Sequence, residues 1–216
     1  NADGKGYLWA LDPLTGAPSF TMSTSCTGAN CGLAKIAPWI EIYTDNSAKR
    51  VYGGDIDGNL WRFDVSDLIA PAGRDTFKLA QFGAPPSLVQ SITTKPSLAR
   101  VPHNNVMYDV VFVGTGRFLG ISDKADTGVN SFYAIADDLS TPRGIVRTNG
   151  ALVKQVLTSG VSKDGRNVLT NSNKTVDWAT KAGWYIDYPN IGERSFTDPA
   201  IALGTITFTT NIPKTG

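Results

Sequence analysis

The sequence predicts an all-β chain, a portion of a β-propeller holding about three to four four-stranded antiparallel blades, and three observations predict it. First, 22 glycines and 12 prolines punctuate short runs of β-branched and aromatic residues along all 216 positions. Second, Val51-Tyr-Gly-Gly-Asp-Ile-Asp-Gly-Asn-Leu-Trp-Arg-Phe-Asp64 reads as a hairpin, with Asp57-Gly58 as a two-residue turn of the kind that needs positive φ. Third, a pattern headed by proline recurs. Pro38-Trp-Ile, Pro96-Ser-Leu and Pro199-Ala-Ile each precede a strand-like run, Val51-Tyr-Gly-Gly, Val111-Phe-Val-Gly and Thr205-Ile-Thr-Phe.

The first two repeats carry a further aromatic strand, Leu60-Trp-Arg-Phe-Asp64 and Phe132-Tyr-Ala-Ile-Ala136, and Tyr7-Leu-Trp-Ala-Leu-Asp12 has the same shape. The prolines lie 58 and 103 residues apart. A repeating unit of ~40–50 residues with four strands is a propeller blade, whose faces must pack on neighbouring blades because it cannot bury them alone. Each proline is expected at the start of its strand, where a missing donor costs least. The chain divides accordingly into a remnant blade at 1–34, a blade at 35–85, a blade with a long insertion at 90–190, and the start of a further blade at 191–216.

In chain order, the first strand is expected at 6–12, with Tyr7, Trp9 and Leu11 on one face, followed by the Pro13-Leu-Thr-Gly16 turn and a strand at 19–23. Strands follow at 34–43, through the hairpin at 51–64, and at 77–82; 66–69 fits one helical turn. Between 138 and 189 the periodicity loosens. A strand is expected at 152–158, a polar, turn-rich stretch at 159–174, a helical turn at 177–181 and a strand at 183–187. The Trp and Tyr positions repeat with the strands, which assigns them to packing between blades rather than to ligand stacking. The run at 205–210 has only six residues after it and no partner strand, and the chain starts at Asn1 with no leader pattern. The chain is therefore expected to be a piece of something longer.

Twenty basic and nineteen acidic side chains leave a formal charge of +1 with no run of one sign, which gives nucleic acid no electrostatic footprint. Apolar runs of four or five residues, such as 110–113, fall far short of the ~20 that a membrane helix needs, so no membrane insertion by this segment is expected. Cys26 and Cys31, the two cysteines, sit in a Gly/Ser/Thr-rich loop. They read as a short-loop disulfide of an exported protein, the other reading being two free thiols of a cytosolic one. Without neighbouring ligands they make no zinc site.

No catalytic constellation emerges. Gly114-Thr-Gly116-Arg-Phe-Leu-Gly120 is one residue too long for a dinucleotide fingerprint and is followed by a turn sequence rather than a helix. Asp55, Asp57 and Asn59 alternate as in a calcium loop, but Gly58 stands at the fourth position and Ser66 at the twelfth, where an EF-hand needs Gly at the sixth and Glu at the twelfth. His103, the one histidine, reads as a polar loop residue in Val101-Pro-His-Asn-Asn105.

Two resemblances follow from these residues. Gly6-Tyr-Leu-Trp-Ala-Leu-Asp-Pro-Leu-Thr-Gly16 resembles the repeat of quinoprotein dehydrogenases, in which the Asp and Thr-Gly shape the turn closing a blade. The second resemblance is to the C-terminal β-propeller of the PilC/PilY family of type IV pilus assembly and tip-adhesin proteins, and it runs the length of the chain. Gly32-Leu-Ala-Lys-Ile36, Arg50-Val-Tyr-Gly-Gly-Asp55, Gly58-Asn-Leu-Trp-Arg-Phe-Asp64, Ile92-Thr-Thr-Lys-Pro96 and Phe112-Val-Gly-Thr-Gly-Arg-Phe-Leu-Gly120 carry its first half. Ser131-Phe-Tyr-Ala-Ile135, Asp177-Trp178, Gly183-Trp-Tyr-Ile-Asp187, Gly192-Glu-Arg194, Thr197-Asp-Pro199 and Phe208-Thr-Thr210 carry the rest.

The PilC/PilY resemblance implies a non-enzymatic protein of a Gram-negative bacterium, exported through the periplasm to the pilus tip or outer-membrane surface. There it would support pilus assembly, tune extension and retraction, and mediate adhesion. Its implied partners are pilins or minor pilins, a host or abiotic surface, and the rest of its own propeller. Calcium-regulated members carry an Asp/Asn-rich loop before the Val-Tyr strand. Here that loop is Tyr43-Thr-Asp45-Asn46-Ser-Ala-Lys49-Arg50, in which Asp45 and Asn46 are the candidate ligands and Lys49 places a cation among them. Calcium takes about six or more oxygens, so the loop is expected to bind it weakly or not at all, and no cofactor is expected. The alternatives are a dehydrogenase dependent on pyrroloquinoline quinone, which would need an adjacent-cysteine disulfide, and a purely structural surface scaffold.

Overall fold

The computed structural model describes residues 3–26, 31–42, 44, 46–66, 74–85 and 87–213. Strands β1 (Tyr7–Leu11) and β2 (Pro18–Ser23) pair as an antiparallel hairpin. A four-stranded antiparallel sheet follows, made of β3 (Leu33–Ile42), β4 (Ser47–Asp55), β5 (Asn59–Asp64) and β6 (Asp75–Gln81) in that order. The short pair β7 (Gly83–Ala84) and β8 (Leu88–Val89) leads to the next sheet. That sheet contains β9 (Ser97–His103), β10 (Val106–Gly114), β11 (Ser131–Ala136) and β12 (Leu152–Gln155). The hairpin β13 (Leu157–Val161) and β14 (Asn167–Asn171) is inserted before its last strand, β15 (Gly183–Asp187), and β16 (Ala200–Ala202) with β17 (Thr205–Thr207) ends the order.

The sheets stack face to face in chain order, as blades do. Leu8 and Met22 of the first hairpin pack on Val51, Trp61 and Phe63. Tyr52, Leu60, Leu79 and Phe82 meet Val111, Val113, Tyr133 and Ile135 of the next sheet, and Phe132 and Ile186 on its far face meet Ile206 and Phe208. β5 and β11 are consequently buried at every position, β11 as an apolar-aromatic run after Ser131 and β5 with Asn59, Arg62 and Asp64 buried beside Leu60, Trp61 and Phe63. Aromatic pairs close the two later seams. Phe82 stacks on Tyr133 at 4.1 Å and Phe132 on Phe208 at 4.0 Å, each worth roughly 0.5–1.5 kcal/mol beyond its burial. β9 runs beside both β3 and β16, so the edge strands converge on one axis, and the sheets do not close a ring.

Several expectations are corrected. The turn of the 51–64 hairpin is a three-residue loop, Ile56-Asp57-Gly58: Gly54 pairs with Leu60, and Gly58 alone takes positive φ, at 79°. Pro38 lies in the middle of β3 instead of at its start, opposite Val51, and is tolerated because β3 is an edge strand. The second complete blade has five strands in the order β12-β15-β11-β10-β9, and β12 runs parallel to β15, so it is neither four-stranded nor wholly antiparallel. The expected 152–158 strand breaks at Val156, and the stretch 159–174 contributes to a hairpin. Tyr7, Trp9 and Leu11 do share a face, but it is the outward one, and Trp9 is 60% exposed. The run at 205–210 is shorter than expected and has a partner, β16. A helical turn does occur at 177–181, closed by Lys181 N–H on the Asp177 carbonyl. The one proposed for 66–69 falls largely outside the described residues.

Candidate interaction surface

The sheets are joined by the same device at two successive seams. At the end of β4, the Asp55 carbonyl accepts the Ile92 N–H at 2.9 Å, and at the end of β10 the Thr115 carbonyl accepts the Ser195 N–H at 2.9 Å. The residue just before each acceptor is a glycine, because a Cβ on Gly54 would lie 2.1 Å from Ile92 Cγ2 and one on Gly114 2.6 Å from Ser195 Cβ. The glycines of the repeated Val-x-x-Gly pattern are therefore the points at which one blade grips the next.

Where β4 and β10 begin, the seam is polar and buried. Arg62 Nη1 donates to Asp137 Oδ1 at 2.8 Å, and its Nε to Asp64 Oδ1 at 2.9 Å. The Tyr52 hydroxyl donates to Asp137 Oδ2 at 2.8 Å, and burial beside that carboxylate raises the phenol well above its usual range. Arg50 Nη2 bridges Glu41 and Asp109, at 3.0 Å each, with its guanidinium over the Trp39 ring. Asp64, Asp109 and Asp137 at this end of the seam thus each have a cationic partner, the condition under which buried charge is tolerated.

At the opposite end, Asp55 shapes the hairpin loop. Its carboxylate accepts from the main-chain N–H groups of Asp57 and Asn59, from Asn59 Nδ2 and from Trp61 Nε1, all within 3.0 Å. Complete burial pushes this carboxyl up, against the pull of its donors. Burial would likewise raise Asp187, but hydrogen bonds from Arg147, Lys154 and Ser131 outweigh it and hold that carboxyl at about 2.

A second loop at this end is built on Arg194. Its guanidinium is buried and donates to four main-chain carbonyls: Nε to Gly192, Nη1 to Arg117 and Asp123, Nη2 to Asp126. Gly116, at φ 130°, leaves room for the Arg194 side chain, since a Cβ there would meet Arg194 Cβ at 2.3 Å. Asp123 supports the loop from within, accepting the Leu119 and Gly120 N–H groups and Arg117 Nε. The backbone donors, Leu119 first, lower its carboxyl. The loop so held presents Leu119 and Ile121 to solvent, the latter 84% exposed. The inserted β13–β14 hairpin is a second projecting feature, with Val161 and Leu169 exposed.

The residues singled out from sequence are dispersed. Asp45 lies outside the described residues. Asn46 takes positive φ, 53°, in the β3–β4 turn, and Lys49 Nζ is bonded to Glu41 Oε2 at 2.9 Å across that hairpin. An ammonium group already paired within the loop does not fit a calcium shell, and no group of three or more His, Cys, Asp or Glu side chains among the described residues could hold a metal. Cys26 and Cys31 are joined, with Cα atoms 6.4 Å apart, and tie the end of β2 to the start of β3. Four residues separate them, so the pair is not an adjacent-cysteine disulfide. Asp55 and Asp57 do not converge on a common point, because Asp55 is spent on the turn. His103 ends β9 instead of lying in a loop; the turn is Asn104-Asn105, both at positive φ. A short 3₁₀ helix, Ile121–Ala125, follows Gly114–Gly120 where only a turn was expected, and its space is filled by Asp123 and Arg194. Arg194 and Asp137 were missed as organisers. Arg194 stands within the Gly192-Glu-Arg motif, but a sequence does not tell a buried arginine from a solvated one.

The model of the PilY1 beta-propeller domain family matches residues 1–171. The type IV pilus biogenesis factor PilY1 of Pseudomonas aeruginosa strain PAO1 is 32% identical over 225 residues, covering 85% of this chain and 19% of that protein. A PilY1 homolog of Xylella fastidiosa is 25% identical over 183 residues, covering 78% of this chain and 12% of the homolog. The crystal structure of the Pseudomonas aeruginosa PilY1 C-terminal domain has the same fold, with a TM-score of 0.80 at 23% identity, over 98% of this chain and 50% of that one. The chain thus spans about a fifth or less of the length of these curated relatives and half of the solved domain.

Proposed function

The chain belongs to the PilY1 β-propeller domain family, and from that premise we propose that it serves type IV pilus biogenesis as a non-enzymatic interaction module. The single observation that carries this reading is the family match over residues 1–171. The physical role is rigid display. Blades locked by glycine contacts and buried ion pairs hold the 117–128 loop and the 157–171 hairpin at set positions. There they contact pilins or minor pilins at the pilus tip or outer-membrane surface, influence extension and retraction, and touch a host or abiotic surface. In-frame deletion of the encoding gene is expected to abolish surface piliation and twitching, and re-expression to restore both; normal piliation in the deletion strain would instead favour a structural scaffold. The quinoprotein alternative predicts alcohol-dependent dye reduction after addition of pyrroloquinoline quinone, and that result would overturn the non-enzymatic reading. For the 43–50 loop, calorimetric titration is expected to give no micromolar calcium binding, because the loop offers few oxygen ligands and Lys49 adds a cation that is already paired with Glu41.

A further inference from the structure

At the end of the five-stranded sheet where β10 begins, a cleft of about 440 Å³ is lined by residues that include Tyr108, Asp138, Arg143, Trp178, Thr180 and Lys181. Its size falls within the roughly 300–1,000 Å³ of small-ligand sites. The Tyr108 and Trp178 rings lie 5.9 Å apart, tilted by 35°, and both pack on the core around Val110 and Phe112, which fixes their orientation. Neither the Tyr108 hydroxyl nor the Trp178 indole N–H has a hydrogen-bond partner among the described residues, although such groups find one when fully buried. The wall carries two acidic and two basic side chains, each with a partner. Asp138 pairs with Arg143 at 3.2 Å, Lys181 Nζ donates to the Gly150 carbonyl, and Asp137 is committed to Arg62.

A ligand for this cleft must offer an apolar face to the rings and several hydroxyl-type groups to the polar wall, and it gains nothing from net charge. A cation is disfavoured by Arg143 and Lys181 beside the rings. A polyproline segment seats its rings in a slot between separated aromatic ridges, whereas these two rings are immediate neighbours, with centroids 5.9 Å apart. We propose that the cleft is a saccharide site. The apolar C–H face of a neutral pyranose rests on Tyr108 and Trp178, and its hydroxyls meet the Tyr108 hydroxyl, the Trp178 N–H and the Asp138–Arg143 pair. This goes beyond the pilus reading and does not depend on it, because it concerns the chemistry of the cleft alone.

The test is fluorine NMR on the protein labelled with 5-fluorotryptophan. The protein has five tryptophans, and Trp178→Phe identifies the signal of interest. The probes are methyl glycosides of glucose, galactose, mannose and N-acetylglucosamine, with a proline-rich peptide and tetramethylammonium as competing chemistries. The Trp178 signal is expected to move saturably with at least one glycoside. Tyr108→Phe, which keeps the ring and removes only the hydroxyl, should weaken binding up to about tenfold, one hydrogen bond's worth. Tyr108→Ala should weaken it further, with far-ultraviolet circular dichroism unchanged. If every glycoside leaves the Trp178 signal still, if only the peptide or the ammonium ion moves it, or if Tyr108→Ala binds as well as the wild type, the proposal is overturned.

Discussion

Asp55 illustrates how one side chain decides a local conformation. Its carboxylate gathers the two main-chain donors of the loop and the side chains of Asn59 and Trp61, so the loop takes three residues where Asp57-Gly58 alone suggests two. The turn was legible from Gly58; its length was not, because it depends on a buried carboxylate whose burial is set by the neighbouring sheets. Asp55→Ala would strand four buried or half-buried donors, and a loss on the order of 3 kcal/mol is expected in urea denaturation. Asp187 gives a pH signature. Its folded pKa of about 2 lies below the 3.8 of an unperturbed aspartate, so its contribution is present above about pH 4 and is lost as pH falls toward 2. The shift corresponds to about 2 kcal/mol. Asp187→Asn should lose that amount at neutral pH and flatten the stability profile between pH 4 and 2; an unchanged profile would show that Arg147 and Lys154 do not stabilise the fold through it.

Among the elements, the strands of the core blades were legible because β11 reads as an apolar-aromatic run and β5 keeps Leu60, Trp61 and Phe63 close together, but the burial of Asn59, Arg62 and Asp64 in β5 was not. Of the repeated prolines, Pro96 and Pro199 stand directly before a strand, whereas Pro38 lies within one, at an edge. Pro38 in β3 and Pro102 in β9 sit on edge strands beside the axis, where a missing N–H removes a donor from an open edge. The parallel β12 was not legible, since its partner β15 comes 28 residues after Gln155 and the intervening hairpin carries no core pattern. Because β13–β14 is largely exposed, replacing residues 158–170 by a short Gly-Ser linker is expected to cost about 1 kcal/mol or less by denaturant melts. A collapse of the fold would make the hairpin structural instead of a displayed element.

For the molecule as a whole, the blades between the first and last hairpins are covered on both faces, while the outward face of β1 exposes Tyr7, Trp9 and Leu11 to solvent. Their alternation was legible; which side would be covered was not, because it depends on what stands beside the sheet. The isolated chain is therefore expected to associate with rising concentration in sedimentation velocity, and Trp9→Glu to reduce that association while leaving the thermal midpoint within a few degrees. Equal association by both proteins would remove this face from consideration. Arg194 carries a different consequence for the assembled molecule. Loops gathered by carbonyl oxygens around a mobile ion rise and fall with that ion's concentration, but here the cation is covalently part of the chain. The shape of the 117–128 loop is in that sense set by the chain itself, and addition of a chelator is expected to leave it unchanged.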